Sequence, residues 1–248
     1  MMEVIYEDNH IIAVNKRPGE IVQGDKTGDE PLVETVRRYI KEKYGKPGNV
    51  FCGVVHRLDR PVGGVVLFAK TSKALARLNE MLRQGEIRKT YWALTRCRPE
   101  QPEARLEGYI TSVERNNKSY LSSSPKDGAK YSALSYRRIA QGDHASLLEV
   151  NLETGRKHQI RVMLSSIGCP VRGDLKYGDR RSNPDGSISL LARRVEFVHP
   201  VSKKRLVIEA PVPDERVWRE LAAMAADSST ALPGGSHDAA DPVGEQKA

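Results

Sequence analysis

Cysteine is scarce in this chain, and its spacing excludes several kinds of site. The three cysteines, Cys52, Cys97 and Cys169, are scattered along 248 residues with no CxxC pair and no Cys/His ligand spacing. Such thiols are typical of small buried hydrophobic side chains. We therefore expect them to be reduced, and we expect neither a metal site nor a disulfide framework.

Signals for membranes and for nucleotide binding are also lacking. No stretch approaches the roughly 18 apolar residues that cross a bilayer. The first ten residues contain acids where a signal peptide has basic residues, and no long apolar segment follows them. Residues 24–28 do not fit the GxxxxGKS or GxxxxGKT pattern of a P-loop. These absences predict a cytoplasmic protein with no membrane partner.

The charge is unevenly distributed. Of the net charge of +8, residues 227–248 contribute −3 from four acids and one lysine, which leaves +11 for residues 1–226. An excess of that size favours a polyanionic partner, because each cation that contacts a phosphate releases counterions. Residues 227–248 contain almost no large apolar residues, so we expect a disordered tail after a single domain at 1–226.

The order of apolar patterns predicts an α+β fold. Alternating and β-branched runs predict strands, which are interrupted by amphipathic helical runs and by turn residues. Helices are expected from Pro31, from an N-cap at Ser72, from near Arg156, and at 213–226. Strands are expected in a hairpin at 4–14, through 87–153, and at 188–198 and 205–210. This arrangement predicts a mostly antiparallel mixed β-sheet with flanking helices.

The most informative stretch is residues 54–78, which contains HRLDR at 56–60. It places Asp59 between Arg57 and Arg60, just before a glycine pair and a strongly apolar run. Because an unpaired buried carboxylate is costly, Asp59 is not expected in the core. It forms either a structural ion pair or part of a reactive site.

The HRLDR segment, the glycines and the apolar run that ends in Ala69-Lys70-Thr71 resemble the signature of RluA-family RNA pseudouridine synthases. Five further segments are similar to that family and occur in the family's order. They are EVIYEDNHIIAVNKRPG, RKTYWAL, LETGRKHQIRV, VRGDLKYG and RRVEFVHPVSKK. The resemblance extends from residue 3 to about residue 213. It implies the pseudouridine-synthase fold. It also implies a reaction that needs no metal or other cofactor.

The resemblance also implies an activity and three catalytic residues. The reaction breaks the N1–C1′ bond of a uridine in RNA, rotates the uracil and rejoins it through C5. Asp59 occupies the position of the essential aspartate, where it acts as nucleophile at C1′ or as base at the ribose. Arg161 is expected to pair with Asp59. Tyr91 is expected to stack on the uracil or to help remove the C5 proton.

A uridine inside folded RNA must be flipped out before it reacts, so basic residues near these motifs are candidate RNA contacts. Arg57 resembles the family's arginine that fills the vacated space. The other candidates are His56, Arg60, Arg156, Lys157 and His158. For each of these residues taken singly, a solvated surface position is an equally good interpretation.

Some positions depart from the common family pattern and bear on the choice of substrate. They are Val62-Gly63, Lys157, Met163 and Leu191. Because the catalytic-domain hairpin begins at Glu3, the chain resembles members without an S4 RNA-binding domain. We therefore expect a monomer without an obligatory protein partner that acts on a tRNA or rRNA stem-loop.

Two other functions are compatible with parts of the sequence. An RNA-binding or ribosome-assembly factor on the same fold would share the basic surface without needing Asp59, Tyr91 and Arg161 together. A glycoside hydrolase needs two acids that flank the scissile bond, and no second acid near Asp59 suggests itself.

Overall fold

The computed structural model describes residues 2–25, 27–125 and 128–230, and it contains one large sheet with helices on both faces. The strands are β1 (Glu3–Glu7), β2 (Ile11–Lys16), β3 (Gly53–Val54), β4 (Gly63–Ala69), β5 (Arg88–Thr95), β6 (Glu103–Val113), β7 (Lys118–Ser122), β8 (Lys130–Gln141), β9 (Ser146–Leu152), β10 (Leu190–Val198) and β11 (Arg205–Glu209). The helices are α1 (Leu32–Lys43), α2 (Ser72–Arg83), α3 (Gln159–Ser166) and α4 (Arg216–Thr230), with a 3-10 turn at Leu175–Tyr177. The expected α+β class is confirmed.

The sheet is mixed because of a single parallel pair among the described strands. Its order is β1-β2-β4-β10-β5-β9-β8-β6-β7, with β3 also paired to β4 and β11 to β10. Only β4 and β10 run parallel, with Gly64 beside Ala192, and the other pairs are antiparallel. This pair joins the N-terminal strands to the rest of the sheet. The turn that carries Asp59 leads directly into β4.

Alternation along the strands sends side chains into separate cores. On β4, Val66 and Phe68 pack with α1, while Val65 and Leu67 face the core that contains α2 and α4. A further core joins α3 to β5, β8, β9 and β10. The candidate site lies beside this last core, because α3 carries Arg161.

Helix α3 begins three residues later than the sequence pattern predicted. The Gln159 side chain accepts hydrogen bonds from Thr154 Oγ1 (2.8 Å) and the Arg156 amide (2.9 Å), and it donates to the Ala133 carbonyl (2.9 Å). These bonds hold residues 154–158 as a loop. His158 ends that loop in the left-handed region, at φ 56°.

The prediction that all three cysteines are reduced is wrong for two of them. Cys97 and Cys169 form a disulfide across 72 residues of sequence. A bridge between Thr95 and Val171 aligns the segment after β5 with the segment after α3, which brings the two Cα atoms to 5.5 Å. Cys52 is free, and burial raises the pKa of its thiol to about 12.

Two further boundaries differ slightly from expectation. The N-cap of α2 is Thr71 rather than Ser72, since Thr71 Oγ1 accepts from the Ala74 amide at 3.1 Å. Helix α4 continues to Thr230, beyond the expected start of the tail, and residues 231–248 lie outside the described part of the chain. Among the described helices, none is both long and apolar enough to cross a membrane.

Replacing Gly64 with alanine should destabilise the protein more than a strained glycine position alone explains. Gly64 has φ 114°, and an added Cβ would lie 2.3 Å from the Ala192 carbonyl oxygen. We expect Gly64→Ala to lower the free energy of unfolding by about 3 kcal/mol or more, from backbone strain plus overpacking. Urea denaturation measures the loss.

Gly168→Ala is the matched control, because Gly168 also has positive φ (72°) but has open space around its Cβ position. It should cost only about 1 to 2 kcal/mol, the strain component alone. Equal losses in the two variants would show that the β4–β10 contact at Gly64 is not tight.

Candidate active site

Arg161 joins two carboxylates at the centre of the site. Its Nε and Nη2 donate to the two oxygens of Asp174, at 2.6 and 2.9 Å, and its Nη1 donates to Asp59 Oδ2 at 3.2 Å. The Arg161 and Asp174 side chains are only 6% and 1% exposed, whereas that of Asp59 is 27% exposed. The guanidinium is therefore anchored on the buried side and presents one nitrogen to the partly open carboxylate.

The charge on Arg161 is secured by its partners. Burial disfavours the guanidinium, but the hydrogen bonds and negative charge of Asp174, followed by those of Asp59, outweigh it and raise the pKa of Arg161. A bidentate pair of this kind also fixes the plane of the guanidinium. Arg161 thus remains cationic and points in one direction.

Asp174 is held by its own loop. Its amide donates to the Val171 carbonyl at 3.0 Å, and the neighbouring Gly173 amide donates to Asp179 Oδ2 at 2.6 Å. Asp179 in turn accepts a hydrogen bond from Arg96 Nε at 3.0 Å. Asp174 lies in the VRGDLKYG segment, but the sequence alone assigned no role to it.

Lys16 fixes the turn that carries Asp59 by hydrogen bonds to its backbone. The sequence motifs assign no role to Lys16. Lys16 is fully buried at the end of β2, and its ammonium donates to the carbonyls of Arg17 (3.0 Å), Arg60 (3.1 Å) and Val62 (2.6 Å). Burial lowers the pKa of Lys16 to about 8, partly opposed by Glu20 and Asp59. The Val62 amide closes the turn on the Asp59 carbonyl at 3.0 Å.

Tyr91 lies on β5 between Ala192 of β10 and Val150 of β9, and it is 7% exposed. Burial, together with the nearby negative charge of Asp59, raises the pKa of its phenol. Tyr91 contributes to the same core as α3, while Trp92 packs against the opposite core, as the alternation of a strand predicts.

His158, expected as an RNA contact, lies inside the site instead of on the surface. Its Nε2 is 3.6 Å from Asp59 Oδ2, and its Nδ1 is 2.8 Å from the Tyr177 hydroxyl. Burial lowers the pKa of His158 to about 4, because the opposing effect of Asp59 is smaller. The structure therefore brings Asp59, Tyr91, His158 and Arg161 together.

The remaining candidates for RNA contact differ in their exposure. His56 faces inward: its Nε2 accepts the Leu67 amide at 3.2 Å, and burial lowers its pKa to about 3. Arg60 forms an exposed ion pair with Asp29 and donates to the Gly19 carbonyl at 3.1 Å. The other three candidates, Arg57, Arg156 and Lys157, have exposed side chains.

The fold is that of pseudouridylate synthase domains. It is similar to the solved structure of human RNA pseudouridylate synthase domain containing 4, with a TM-score of 0.73 and 22% identity over 90% of this chain and 93% of that chain. Human RNA pseudouridylate synthase domain containing 1 gives a TM-score of 0.70 and 21% identity, over 94% and 96% of the two chains. At these identities the likeness shows the fold alone.

The family follows from sequence. Residues 10–166 match the family described as RNA pseudouridylate synthase, and the chain belongs to that family. Ribosomal large subunit pseudouridine synthase D of Zymomonas mobilis is 32% identical over 86% of this chain and 70% of its own length. The resemblance to RluA-family synthases is thus confirmed.

Two Vibrio relatives differ in how much of their length is matched. Ribosomal large subunit pseudouridine synthase C of Vibrio cholerae is 31% identical over 84% of this chain, which spans about two thirds (65%) of that protein. The tRNA pseudouridine synthase C of Vibrio vulnificus is 31% identical over 89% of this chain and 94% of its own length.

Removing the buried partner of Arg161 should be costly. Asp174→Ala leaves a buried guanidinium without its bidentate partner, so we expect the free energy of unfolding to fall by about 3 to 5 kcal/mol. Asp29→Ala, which removes the exposed partner of Arg60, should cost less than about 1 kcal/mol. Urea denaturation of both variants tests this, and similar small losses would contradict the buried anchor.

Tyr91 should not ionise with the exposed tyrosines. Because its pKa is raised, its phenol should stay protonated through about pH 10, the ordinary midpoint for tyrosine. The measurement is an ultraviolet pH titration of wild type minus that of Tyr91→Phe. The difference should show no group that titrates near pH 10 while the protein is folded. A difference transition at or below pH 10 would contradict the placement of Tyr91.

Proposed function

We propose that this protein is an RNA pseudouridine synthase that isomerises specific uridines to pseudouridine in structured rRNA or tRNA. The observation that carries the proposal is the partly open carboxylate of Asp59, aimed by a buried Arg161–Asp174 pair. Family membership supports uridine isomerisation, and the named relatives act on the ribosomal large subunit or on tRNA.

Asp59 is proposed to act on the ribose through its free oxygen. Arg161 Nη1 contacts Oδ2, and among the described residues no hydrogen bond is made to Oδ1. Oδ1 therefore faces the substrate, where it attacks C1′ as a nucleophile or removes a ribose proton as a base. In both routes the N1–C1′ bond breaks, the uracil rotates and C5 bonds to C1′. The C5 proton is then lost to solvent and N1 takes up a proton, while any ribose proton removed by Asp59 is returned.

Tyr91 is proposed to act as a neutral phenol. Its raised pKa disfavours a phenolate at neutral pH, so removal of the C5 proton by a preformed phenolate is disfavoured as well. Stacking of the ring on the uracil requires no ionisation. The position of Tyr91 beside the Asp59 turn suits a base that lies above the carboxylate.

RNA is proposed to bind over the exposed cations, with the target base flipped into the site. Flipping costs a few kcal/mol of stacking and pairing. Arg57, exposed two residues before Asp59, is positioned to occupy the space that the base leaves. Arg156 and Lys157 lie on the loop before α3, where they are available to phosphates.

We further propose that the protein acts in the cytoplasm as a monomer, without an obligatory protein partner and without a cofactor. Asp59, Tyr91, His158, Arg161 and Asp174 all come from one chain, which supports a self-sufficient site. Light scattering after gel filtration, with activity measured on the monomer peak, tests this. Activity confined to a larger species would overturn it.

The synthase proposal is tested by tritium release from RNA labelled at uracil C5, prepared from cells that lack this gene. Wild type should release tritium from one RNA class. Asp59→Asn should release none while still binding RNA, because it loses the carboxylate and keeps the shape. Asp214→Asn, which changes an exposed acid paired with Arg219 of α4, should release tritium like wild type.

The outcomes separate the alternatives. If wild type binds RNA tightly but releases no tritium from any class, the protein is an RNA-binding or assembly factor and the synthase proposal fails. If Asp59→Asn is as active as wild type, the proposed role of Asp59 fails. Mapping the modified site then distinguishes rRNA from tRNA.

A further inference from the structure

The hydroxyl of Tyr177 connects the candidate site to strand β7. It accepts a hydrogen bond from the Ser119 amide at 2.7 Å, and it is 2.8 Å from His158 Nδ1. The rings of His158 and Tyr177 meet edge to face, with centroids 5.6 Å apart. Tyr177 also lies under the Arg161 guanidinium, 5.0 Å from the ring centroid. None of these contacts is needed to explain how Arg161 holds Asp59.

The first contact favours one position of the imidazole proton. A backbone amide only donates, so the Tyr177 oxygen is an acceptor toward Ser119. Its own proton is then available to His158 Nδ1, which accepts it with a ring lone pair. In a neutral imidazole one nitrogen donates and the other accepts. When Tyr177 donates to Nδ1 in this way, the proton of a neutral His158 lies on Nε2.

The other side of the ring favours the same tautomer. His158 Nε2 faces Asp59 Oδ2 at 3.6 Å, and an ionised carboxylate is acceptor-only. A lone pair on Nε2 would face that negative oxygen, whereas a proton makes the contact attractive. Burial and the cations Arg161, Lys157 and Lys176 outweigh Asp59 and disfavour a doubly protonated ring.

The backbone around His158 is also held in place. His158 adopts φ 56°, a left-handed conformation that residues other than glycine seldom adopt. Ser119 Oγ donates to the Lys157 carbonyl at 2.8 Å. Ser119 therefore fixes both the peptide before His158 and, through Tyr177, the ring itself.

We propose that His158 is a positioning residue: a neutral imidazole with its proton on Nε2, which donates toward Asp59 Oδ2 beside Arg161. Tyr177 sets this tautomer through Nδ1. The two donors on Oδ2 turn Oδ1 toward the ribose. The 3.6 Å contact shortens to a hydrogen bond when RNA closes the site, as catalytic contacts often do. This role replaces the RNA contact expected of His158, and it rests on the proposed synthase function.

The tautomer is read directly by ¹⁵N NMR of protein labelled at histidine, without RNA. His158→Gln identifies the His158 signals by their loss. Wild type at pH 7 should show protonated Nε2 and unprotonated Nδ1. Tyr177→Phe, which keeps the ring but not the hydroxyl, should yield a mixture of tautomers. A wild-type proton on Nδ1, a doubly protonated ring, or an unchanged tautomer in Tyr177→Phe would overturn the proposal.

Kinetics test the donor itself. His158→Gln keeps an amide donor near the Nε2 position, while His158→Asn keeps one only near Nδ1. We expect His158→Asn to lower kcat by about 10- to 100-fold, the range for a lost hydrogen bond to a charged group, with KM for RNA little changed. His158→Gln should recover much of that loss. Asparagine adopts the left-handed backbone conformation readily. A misfolded His158→Asn variant therefore does not explain a lower kcat than that of His158→Gln.

Equal kcat in the two variants, or a change confined to KM, would overturn the positioning role. Such a result would favour the alternative in which His158 contacts RNA. Tyr177→Phe should lower kcat severalfold, in the same direction as His158→Asn. A wild type without activity on any RNA would overturn the proposed function alone, because the tautomer is measured without substrate.

Discussion

The buried pair of Arg161 and Asp174 is the interaction on which the candidate site depends. Asp174 is almost fully enclosed and accepts hydrogen bonds from Nε and Nη2 of Arg161, which fixes the plane of the guanidinium. The remaining nitrogen, Nη1, reaches the partly exposed carboxylate of Asp59. Because a buried ion cannot be left unpaired cheaply, the guanidinium has no comparably stable alternative position.

The sheet makes this arrangement possible by joining distant segments at one place. The parallel contact of β4 with β10 at Gly64 and Ala192 places the Asp59 turn beside β5 and Tyr91. Lys16 fixes the same turn from the opposite side by binding three of the surrounding carbonyls. The turn that carries Asp59 is therefore supported by backbone contacts that are far apart in sequence, while the Asp59 side chain remains partly exposed.

Sequence patterns predict the features that depend on neighbouring residues and on the family motifs. Alternation and amphipathic spacing predicted the α+β class, and the family motifs led to Asp59, Tyr91 and Arg161, which the fold brings together. Asp174 lay within a recognised motif, but its role depends on a contact that the folded loop creates. His158 is predicted from sequence as an RNA contact, with a solvated position as the alternative, but the fold buries it against Tyr177.

Other features have no local signal at all. Cys97 and Cys169 are 72 residues apart and meet only because Thr95 pairs with Val171. The start of α3 depends on the Gln159 side chain, which reaches back to hold the preceding loop. In sequence, Lys16 is a charged residue at the end of a hairpin, which predicts an exposed side chain. In the fold it pairs with β4 and is fully buried. For the disulfide and for Lys16, a long-range contact overrides the local preference.

The most direct test of this account is a double-mutant cycle on the single-turnover rate of C5 tritium release, with Asp174→Asn and Arg161→Lys. If Asp174 acts only by holding Arg161 toward Asp59, the double variant should be about as slow as the slower single variant. Losses that multiply in the double variant would contradict the account, because Asp174 and Arg161 would then contribute independently.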